Sequence, residues 1–514
     1  MKRNVYVKGD SMAKYYMGID LGTSSVRSFL IEFDQNQSYV AGENYDVIIP
    51  QLGYAEHDPR LWYEKTVQAV RSVLAQSGAD PREIAAISFS GQMHGLVALD
   101  RENAPVMNVP IWMDQRSADV LPEIYELLGE DRARECLQNR IATGFLISSL
   151  YWVKKRRPEL YARIDRVLLP KDYIKFRLCG RAVTDYSDAA GSLAFDNVRM
   201  CWSDPVIAAL GLRREIFPEC LPSTEVVGHV TAEAARDMGL CEDTLVVNGG
   251  SDQCMQSIGN AVVDEGVFAC NIGTSSLITT AARSPLYDPL LRTNTFAHAL
   301  PGCWSVMAAC LNGGSVLKWL TQKVFQGESY EEINRMVEQR PCGSNGLFFL
   351  PYLAGERTPH MDPRARGVYF GLNLDHGSAD LARALMEGIV FGLKDGLNVL
   401  EEIGIPCRRI VAAGGGARSD VWLQIQADIF ERDVYRSASR EQAGLGAAIT
   451  AAVGDGRYAD YGAACAACVE PPRQVFRPKE ENVRVYRQMY PIFRELYASN
   501  RHNFQAISGV FQVE

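Results

Sequence analysis

Short apolar runs that stop at glycine-rich polar turns recur along this chain. The first, Tyr15 to Asp20, enters Leu21-Gly22-Thr23-Ser24-Ser25 and returns through Val26 to Phe33, which predicts a hairpin. The construction comes back as a strand over Gly266 to Asn271, the turn Ile272-Gly273-Thr274-Ser275-Ser276 and a return strand over Leu277 to Thr280. Gly273 lies 251 residues after Gly22. That period is too long for a solenoid repeat and predicts two related domains, the alternative being chance agreement between two short polar turns.

Elsewhere helix and strand signals alternate. Asp58-Pro59 reads as a cap followed by proline at the first helical position, with Trp62, Thr66, Val67, Val70 and Leu74 on one face. Ile84 to Phe89 reads as a strand ending in Ser90-Gly91-Gln92-Met93-His94-Gly95, and Thr244 to Asn248 as another ending at Gly249-Gly250-Ser251-Asp252. Arg409 to Ala413 stops at Gly414-Gly415-Gly416 before a helix from about Ser419 to Phe430. Polar residues thus gather at the carboxyl ends of strands, the edge where α/β sheets bind ligands. The segment Glu481 to Asn500 reads as an amphipathic packing helix kinked at Pro491.

Composition narrows the class. The 514 residues, 47% hydrophobic and 22% charged, suit a globular protein of more than one domain. With 53 Lys and Arg against 62 Asp and Glu the net charge is −9, which disfavours nucleic acid and anionic membranes as partners. The 13 cysteines are scattered without a disulfide framework, so a reducing, cytoplasmic setting is expected. Cys465 and Cys468 form a lone Cys-x-x-Cys, and the seven histidines show no metal-ligand spacing. Met1-Lys2-Arg3 is followed by no apolar core, so no secretion signal is expected, and residues 1–11 read as a disordered extension or a start placed too early, before Met12. The uncharged stretch Gln442 to Gly454, 13 residues, is too short to span a bilayer.

The turns define a chemistry. A Gly-Thr-Ser turn between strands offers backbone N–H groups and hydroxyls to phosphate oxygens without lysine, and two such turns could clamp a polyphosphate. No Gly-Lys dipeptide occurs, which excludes a Walker-type P-loop, and no Gly-x-Ser-x-Gly elbow occurs. Gly414-Gly415-Gly416 would let a flat ligand approach the backbone. Asp20, one residue before the first turn motif, is placed to orient a hydrated Mg²⁺ carried by a nucleotide. Asp252, at a strand end, is placed to take a proton from a hydroxyl attacking a γ-phosphate. Either aspartate alone would read as a solvated helix cap; their coincidence with the paired turns favours phosphoryl transfer.

Several segments together carry a resemblance. Met17 to Ser25, Gly91 to Gly95, Pro170-Lys171-Asp172-Tyr173, Ser187 to Gly191, Phe349 to His360 and Gly414 to Ser419 stand in an order that resembles the FGGY family of carbohydrate kinases, from about residue 15 to about 500. The resemblance implies an α/β actin-like ATPase (ribonuclease-H-like) fold with two related domains around a central cleft. Its parts would be an N-terminal extension over 1–13, disordered, a sugar-binding domain over 14–258, an ATP-binding domain over 259–480, and a C-terminal helix and tail over 481–514. It further implies Asp252 as general base, Asp20 at the Mg²⁺–phosphate region through water, and Gly22, Thr23, Ser24, Gly273 and Thr274 at phosphates. Gly414, Gly415, Gly416 and Ser419 would lie near the adenosine, and Gln92, Met93, His94, Trp112, Asp114 and Gln253 near the sugar. The cofactors are ATP and Mg²⁺, and a homodimer is compatible with the family.

Departures from the family pattern bear on the sugar. Gln253-Cys254-Met255-Gln256 is bulkier than the usual small run after the base, Ser149 stands where a lysine is common, and Met113 where an asparagine is common. The expected activity is ATP-dependent phosphorylation of a ketopentose, D-xylulose first. Another pentulose, a hexulose or a polyol is the alternative substrate. A noncatalytic actin-like ATPase, which needs the turns but no base beside a sugar loop, is the rival from another class.

Overall fold

The computed structural model describes residues 14–325, 327–439, 441–472 and 474–511; the expected extension over 1–13 and the last three residues of the tail lie outside them. The chain separates into two compact units, the first built from residues 14–263, 296–303 and 439–469 and the second from 264–295, 304–438 and 470–511.

The first unit is organised on a mixed sheet of β1 (Tyr15–Leu21), β2 (Ser25–Glu32), β3 (Gln37–Asn44), β4 (Ile84–Gly91), β5 (Val226–His229) and β6 (Leu245–Val247), with the short β7 (Gly250–Ser251) beside β4. The strand order is β5-β6-β4-β1-β2-β3. β1 runs antiparallel to β2 and parallel to β4, β2 and β3 are antiparallel, and β6 is parallel to β4 and antiparallel to β5.

The second unit repeats this plan. β8 (Val267–Ile272), β9 (Ser276–Ala282), β10 (Asn294–Ala297), β11 (Trp304–Cys310), β12 (Arg409–Ala413), β13 (Val434–Arg436) and β14 (Val475–Phe476) lie in the order β10-β11-β9-β8-β12-β13-β14. β8 is antiparallel to β9 and parallel to β12, β9 and β11 are antiparallel, and β13 is parallel to β12 and antiparallel to β14. β1 and β8, each followed by a Gly-Thr-Ser turn, therefore occupy equivalent central positions. The duplication read from the turns extends to the order and sense of the strands around them.

Two stretches inside the expected ATP-binding domain of 259–480, residues 296–303 and 439–469, pack in the first unit. The helix Gln442–Gly454 is buried along nearly its whole length, as an uncharged Ala/Gly helix must be. Its glycines permit close crossings: a Cβ on Gly18 of β1 would lie 2.1 Å from the Gly444 carbonyl oxygen, and one on Gly446 would lie 1.9 Å from that of Met255. The segment is therefore the partner of β1 and of the helix Asp252–Gly259, and it is the third stretch of chain in the first unit. The C-terminal helix, Glu480–Phe511, is longer than expected and continues through Pro491. Phe493 and Phe504 bury fully in the core of the second unit.

Candidate active site

In the first unit the polar residues expected at strand ends do gather. Asp20 is the penultimate residue of β1, and Ser90 of β4 donates to its Oδ1 at 2.7 Å. Asp252 opens the helix Asp252–Gly259 directly after β7, where its Oδ1 accepts from the Gln253 N–H at 2.7 Å. Both carboxyl groups are partly open to solvent, yet the surrounding protein withholds enough water to disfavour their charge. Burial, and after it the negative charge of Asp20, pushes Asp252 up to about 7, against the pull of the Gln253 N–H. Burial also raises Asp20, against the Ser90 hydrogen bond. Two carboxylates in each other's field with raised pKa values are oxygen donors that gain from a nearby hard cation. Among the described residues no three His, Cys, Asp or Glu side chains form a metal cage.

A buried polar scaffold fixes the strand end that presents Asp252. The Ser251 N–H donates to Ser187 Oγ at 2.9 Å, and Ser187 Oγ donates to Asp185 at 2.5 Å. Lys171, wholly buried, reaches Asp172, Asp185 and Asp188 at 2.6, 2.9 and 3.1 Å, while Lys175 bridges Asp172 and Asn248. The Pro170-Lys171-Asp172-Tyr173 and Ser187 to Gly191 motifs thus build the support of this site.

The expected sugar residues differ in their exposure and in what holds them. His94 holds a left-handed backbone (φ 78°), rare for a residue with a Cβ and found where the surroundings over-determine it. Its Nδ1 lies 2.6 Å from the Gly191 carbonyl oxygen, which can only accept, so Nδ1 carries the proton. Its ring packs against Phe145 at 4.1 Å and Phe296 at 5.8 Å. Met93 is buried beneath Gly191. Trp112 is 42% exposed and its indole N–H donates to Thr23 Oγ1 at 2.9 Å, which leaves most of one face open beside the first turn. Gln253 is partly open.

Two further members of the expected sugar set are buried. The Gln92 amide NH₂ donates to the Gly22 carbonyl at 3.2 Å, while its Oε1 meets no hydrogen-bond donor among the described residues. Asp114 accepts from the Ala55 N–H at 2.7 Å and from Arg116 through its N–H, Nε and Nη2, which fills its acceptor positions. Arg116 also reaches Glu56 at 2.5 Å and lies 4.0 Å over the Tyr54 ring. Asp114 therefore acts on the loop around Arg116 and is no open acceptor. Sequence reasoning missed Tyr45, whose hydroxyl donates to the Gly22 carbonyl at 2.5 Å and anchors the first turn from behind.

In the second unit a cavity of about 590 Å³ contains Gly273, Thr274, Gly415, Gly416 and Ser419 in its wall. Gly414 stands behind it in a left-handed conformation (φ 75°), where a Cβ would meet Asn271 Oδ1 at 2.2 Å and the Ile272 carbonyl oxygen at 2.8 Å. Ser419 caps the helix Asp420–Phe430 by accepting from the Trp422 N–H at 3.2 Å and donates to Asn334 Oδ1 at 2.7 Å, so its hydroxyl is already engaged. The remaining wall includes Ser315, Lys318, Asn334, Arg418 and Trp422, none of them expected. Lys318 and Arg418 have no ion-pair partner among the described residues. The cavity wall is thus less purely neutral than the turns alone suggested. Arg418 could have been found, since it stands in the Gly414 to Ser419 segment, and Lys318 from the Gly313-Gly314 pair that opens its helix; Asn334 comes from a helix with no glycine signal.

Repeated mixed sheets, a strand-end aspartate titrating near neutrality and a turn-lined cavity define a sugar kinase of the actin-like ATPase class. Residues 15–259 match the N-terminal domain, and residues 268–454 the C-terminal domain, of the FGGY family of carbohydrate kinases, and the chain belongs to that family. It is a carbohydrate kinase, with ATP as its phosphoryl donor. A xylulose kinase of Bacillus subtilis is 34% identical over 95% of this chain and 97% of its own length. A gluconokinase of Bacillus licheniformis is 29% identical over 97% of this chain and 98% of its own. Two crystal structures from Lactobacillus acidophilus, a ligand-bound xylulose kinase and a gluconate kinase, each superpose with a TM-score of 0.91 at 26% identity, covering 96% of this chain and 99% of theirs. Among the described residues no helix is long and apolar enough to cross a membrane.

Proposed function

We propose that the chain transfers the γ-phosphoryl group of ATP to D-xylulose, with Asp252 as general base. Asp252 takes the proton of the attacking sugar hydroxyl as its oxygen forms the bond to phosphorus and the bond to the bridging oxygen of ADP breaks. A carboxyl at about 7 is basic enough to accept that proton and is half ionised at neutral pH. His94, Trp112 and Gln253 hold the ketose; Met93 supports His94, and Gln92 and Asp114 act one step behind the contact surface. The Gly22-Thr23-Ser24 and Gly273-Thr274 turns take phosphate oxygens, while Gly415 and Gly416 admit the nucleotide, with Gly414 shaping their turn. Mg²⁺, when bound, would supply charge neutralisation at the phosphates, and Asp20 would hold it through water. Asp20, raised by burial, gains from the ionic partner.

The observation that favours a neutral ketose over gluconate is the charge around the base. Asp20 and Asp252 are both carboxylates, the open sugar-side residues His94, Trp112 and Gln253 include no fixed cation, and the guanidinium of Arg116 is held by Asp114 and Glu56. A sugar acid would bring a third carboxylate with no cation to receive it. Together with the 34% identity to a xylulose kinase, this selects the ketose. A coupled ADP-release assay across pentuloses, hexuloses, polyols and gluconate tests it: the highest kcat/KM is expected for D-xylulose, and a preference for gluconate would overturn the substrate reading.

A further inference from the structure

We propose that Glu356 is a positioning residue for the second Gly-Thr-Ser turn, holding it in the geometry that binds nucleotide phosphate. The proposal rests on the reading of the second unit's cavity as the ATP site.

Glu356 is 3% exposed and lies outside the cavity wall, and its carboxylate oxygens meet donors. Its Oε1 accepts from the N–H groups of Leu311 at 2.6 Å and Arg357 at 2.7 Å, and its Oε2 accepts from Asn312 Nδ2 at 3.1 Å. The Glu356 backbone is pinned by reciprocal hydrogen bonds to Asp362 at 2.9 and 2.8 Å. The carboxylate therefore ties residues 311 and 312, at the end of β11, to a fixed loop. Asn312 is buried and clamped further: its Nδ2 also donates to the Gly355 carbonyl at 2.7 Å, and its own carbonyl accepts from Ser276 Oγ at 2.6 Å.

The next three residues reach the turn itself. The Gly314 N–H donates to the Gly273 carbonyl at 2.7 Å, and the Ser315 N–H to the Thr274 carbonyl at 3.1 Å. The approach is possible only for glycine, because a Cβ on Gly313 would lie 2.5 Å from the Ser275 carbonyl and one on Gly314 2.6 Å from the Gly273 oxygen. A trans peptide is planar with its C=O and N–H opposed. Holding the carbonyls of Gly273 and Thr274 from one side therefore directs the N–H groups of Thr274 and Ser275 to the other, as donors free of those two bonds. In the first unit the equivalent carbonyl, that of Gly22, is held by the Tyr45 hydroxyl and the Gln92 amide. The second turn is held by backbone, and Glu356 with Asn312 sets where that backbone lies.

Glu356→Gln tests this with little change of shape. One amide oxygen can still accept from Leu311 and Arg357, but the new NH₂ then faces Asn312 Nδ2, donor against donor. Rotating Asn312 to accept would forfeit its bond to Gly355. The expected result is a rise of about tenfold in the KM for ATP and in the Kd of a nonhydrolysable ATP analogue, the scale of one lost buried hydrogen bond, with the sugar KM unchanged. Ser276→Ala, a milder cut in the same chain, should raise the same two constants about threefold and serves if Glu356→Gln does not fold. Gly415→Leu, which fills the cavity, is the control. If it abolishes analogue binding while folded Glu356→Gln or Ser276→Ala binds as the parent does, the positioning role is overturned alone. If Gly415→Leu also binds normally, the cavity reading falls and the proposal with it.

Discussion

Lowering the pH through neutrality should switch off turnover by protonating Asp252, with the rest of the fold intact. Its carboxyl stands at about 7, raised first by burial and then by the charge of Asp20. Only the ionised form can accept the sugar's proton, so kcat/KM for the sugar should fall about tenfold for each pH unit below 7 and level off above about 8. A carboxylate at its ordinary value of 3.8 would leave the profile flat down to about pH 5. Asp20→Asn removes the like charge, and the acid limb of whatever activity remains should move down by about one unit. The same shift has a stability consequence. A carboxyl raised on folding favours the folded state while both states hold the proton, and loses that advantage as pH rises from the unfolded value through about 7. Three pKa units correspond to up to about 4 kcal/mol, reduced by the solvent that reaches Asp252. Asp252→Asn should therefore gain stability over the parent as pH rises from 4 to 8 in chemical denaturation, while losing nearly all turnover and keeping ATP binding. A flat rate profile between pH 5.5 and 8, or a limb that moves up in Asp20→Asn, refutes the assignment.

Other perturbations read different parts of the site. His94→Ala should raise the sugar KM more than the ATP KM in steady-state kinetics; equal effects would place His94 outside the sugar contact. Lys318→Ala combined with Arg418→Ala should raise the ATP KM by roughly tenfold or more and leave the sugar KM alone, since each removes an unpaired cation from the cavity wall. Arg116→Lys should cost about 3 kcal/mol in denaturant unfolding, because lysine cannot reproduce the forked contact with Asp114, the reach to Glu56 and the stacking on Tyr54.

What sequence could show follows the range of the interactions involved. The two Gly-Thr-Ser turns were legible because a hairpin turn is local, and their repetition carried the paired architecture that the sheets β5-β6-β4-β1-β2-β3 and β14-β13-β12-β8-β9-β11 display in full. Asp20 and Asp252 were legible because each lies at a strand end beside a turn. The placement of 439–469 in the first unit was not, since the glycines of the helix Gln442–Gly454 find their partners on β1 at the far end of the chain. Asn334 escaped because a helix without a local motif brings it to the cavity. Asp114 was misread although a signal existed: the Asp-x-Arg spacing to Arg116 is that of a local ion pair, and the structure shows one at 2.8 Å.

The bulkier run after the base bears less on the sugar than its sequence suggests. In the helix Asp252–Gly259, Cys254 and Met255 turn away from the strand ends into the interior. Met255 lies under Gly250, where a Cβ would come within 2.7 Å of its Cε, and its sulfur accepts from the Thr450 hydroxyl at 3.4 Å. Its bulk fills the contact with the helix Gln442–Gly454, where the facing glycines leave room for it. Gln253, next to the base, stays partly open, as does Gln256 at the end of the run. Met255→Ala should thus cost about 2–4 kcal/mol of stability through the cavity it leaves and hold the ratio of kcat/KM values for D-xylulose and competing ketoses within twofold or so, about the scatter of 0.5 kcal/mol. Gln253→Ala should do the reverse, with stability nearly unchanged and the ratio shifted about tenfold, the scale of one hydrogen bond lost at a transition state. A ratio that followed Met255 and ignored Gln253 would place the specificity in the packing behind the base, and the ketose contact assigned to Gln253 would be wrong.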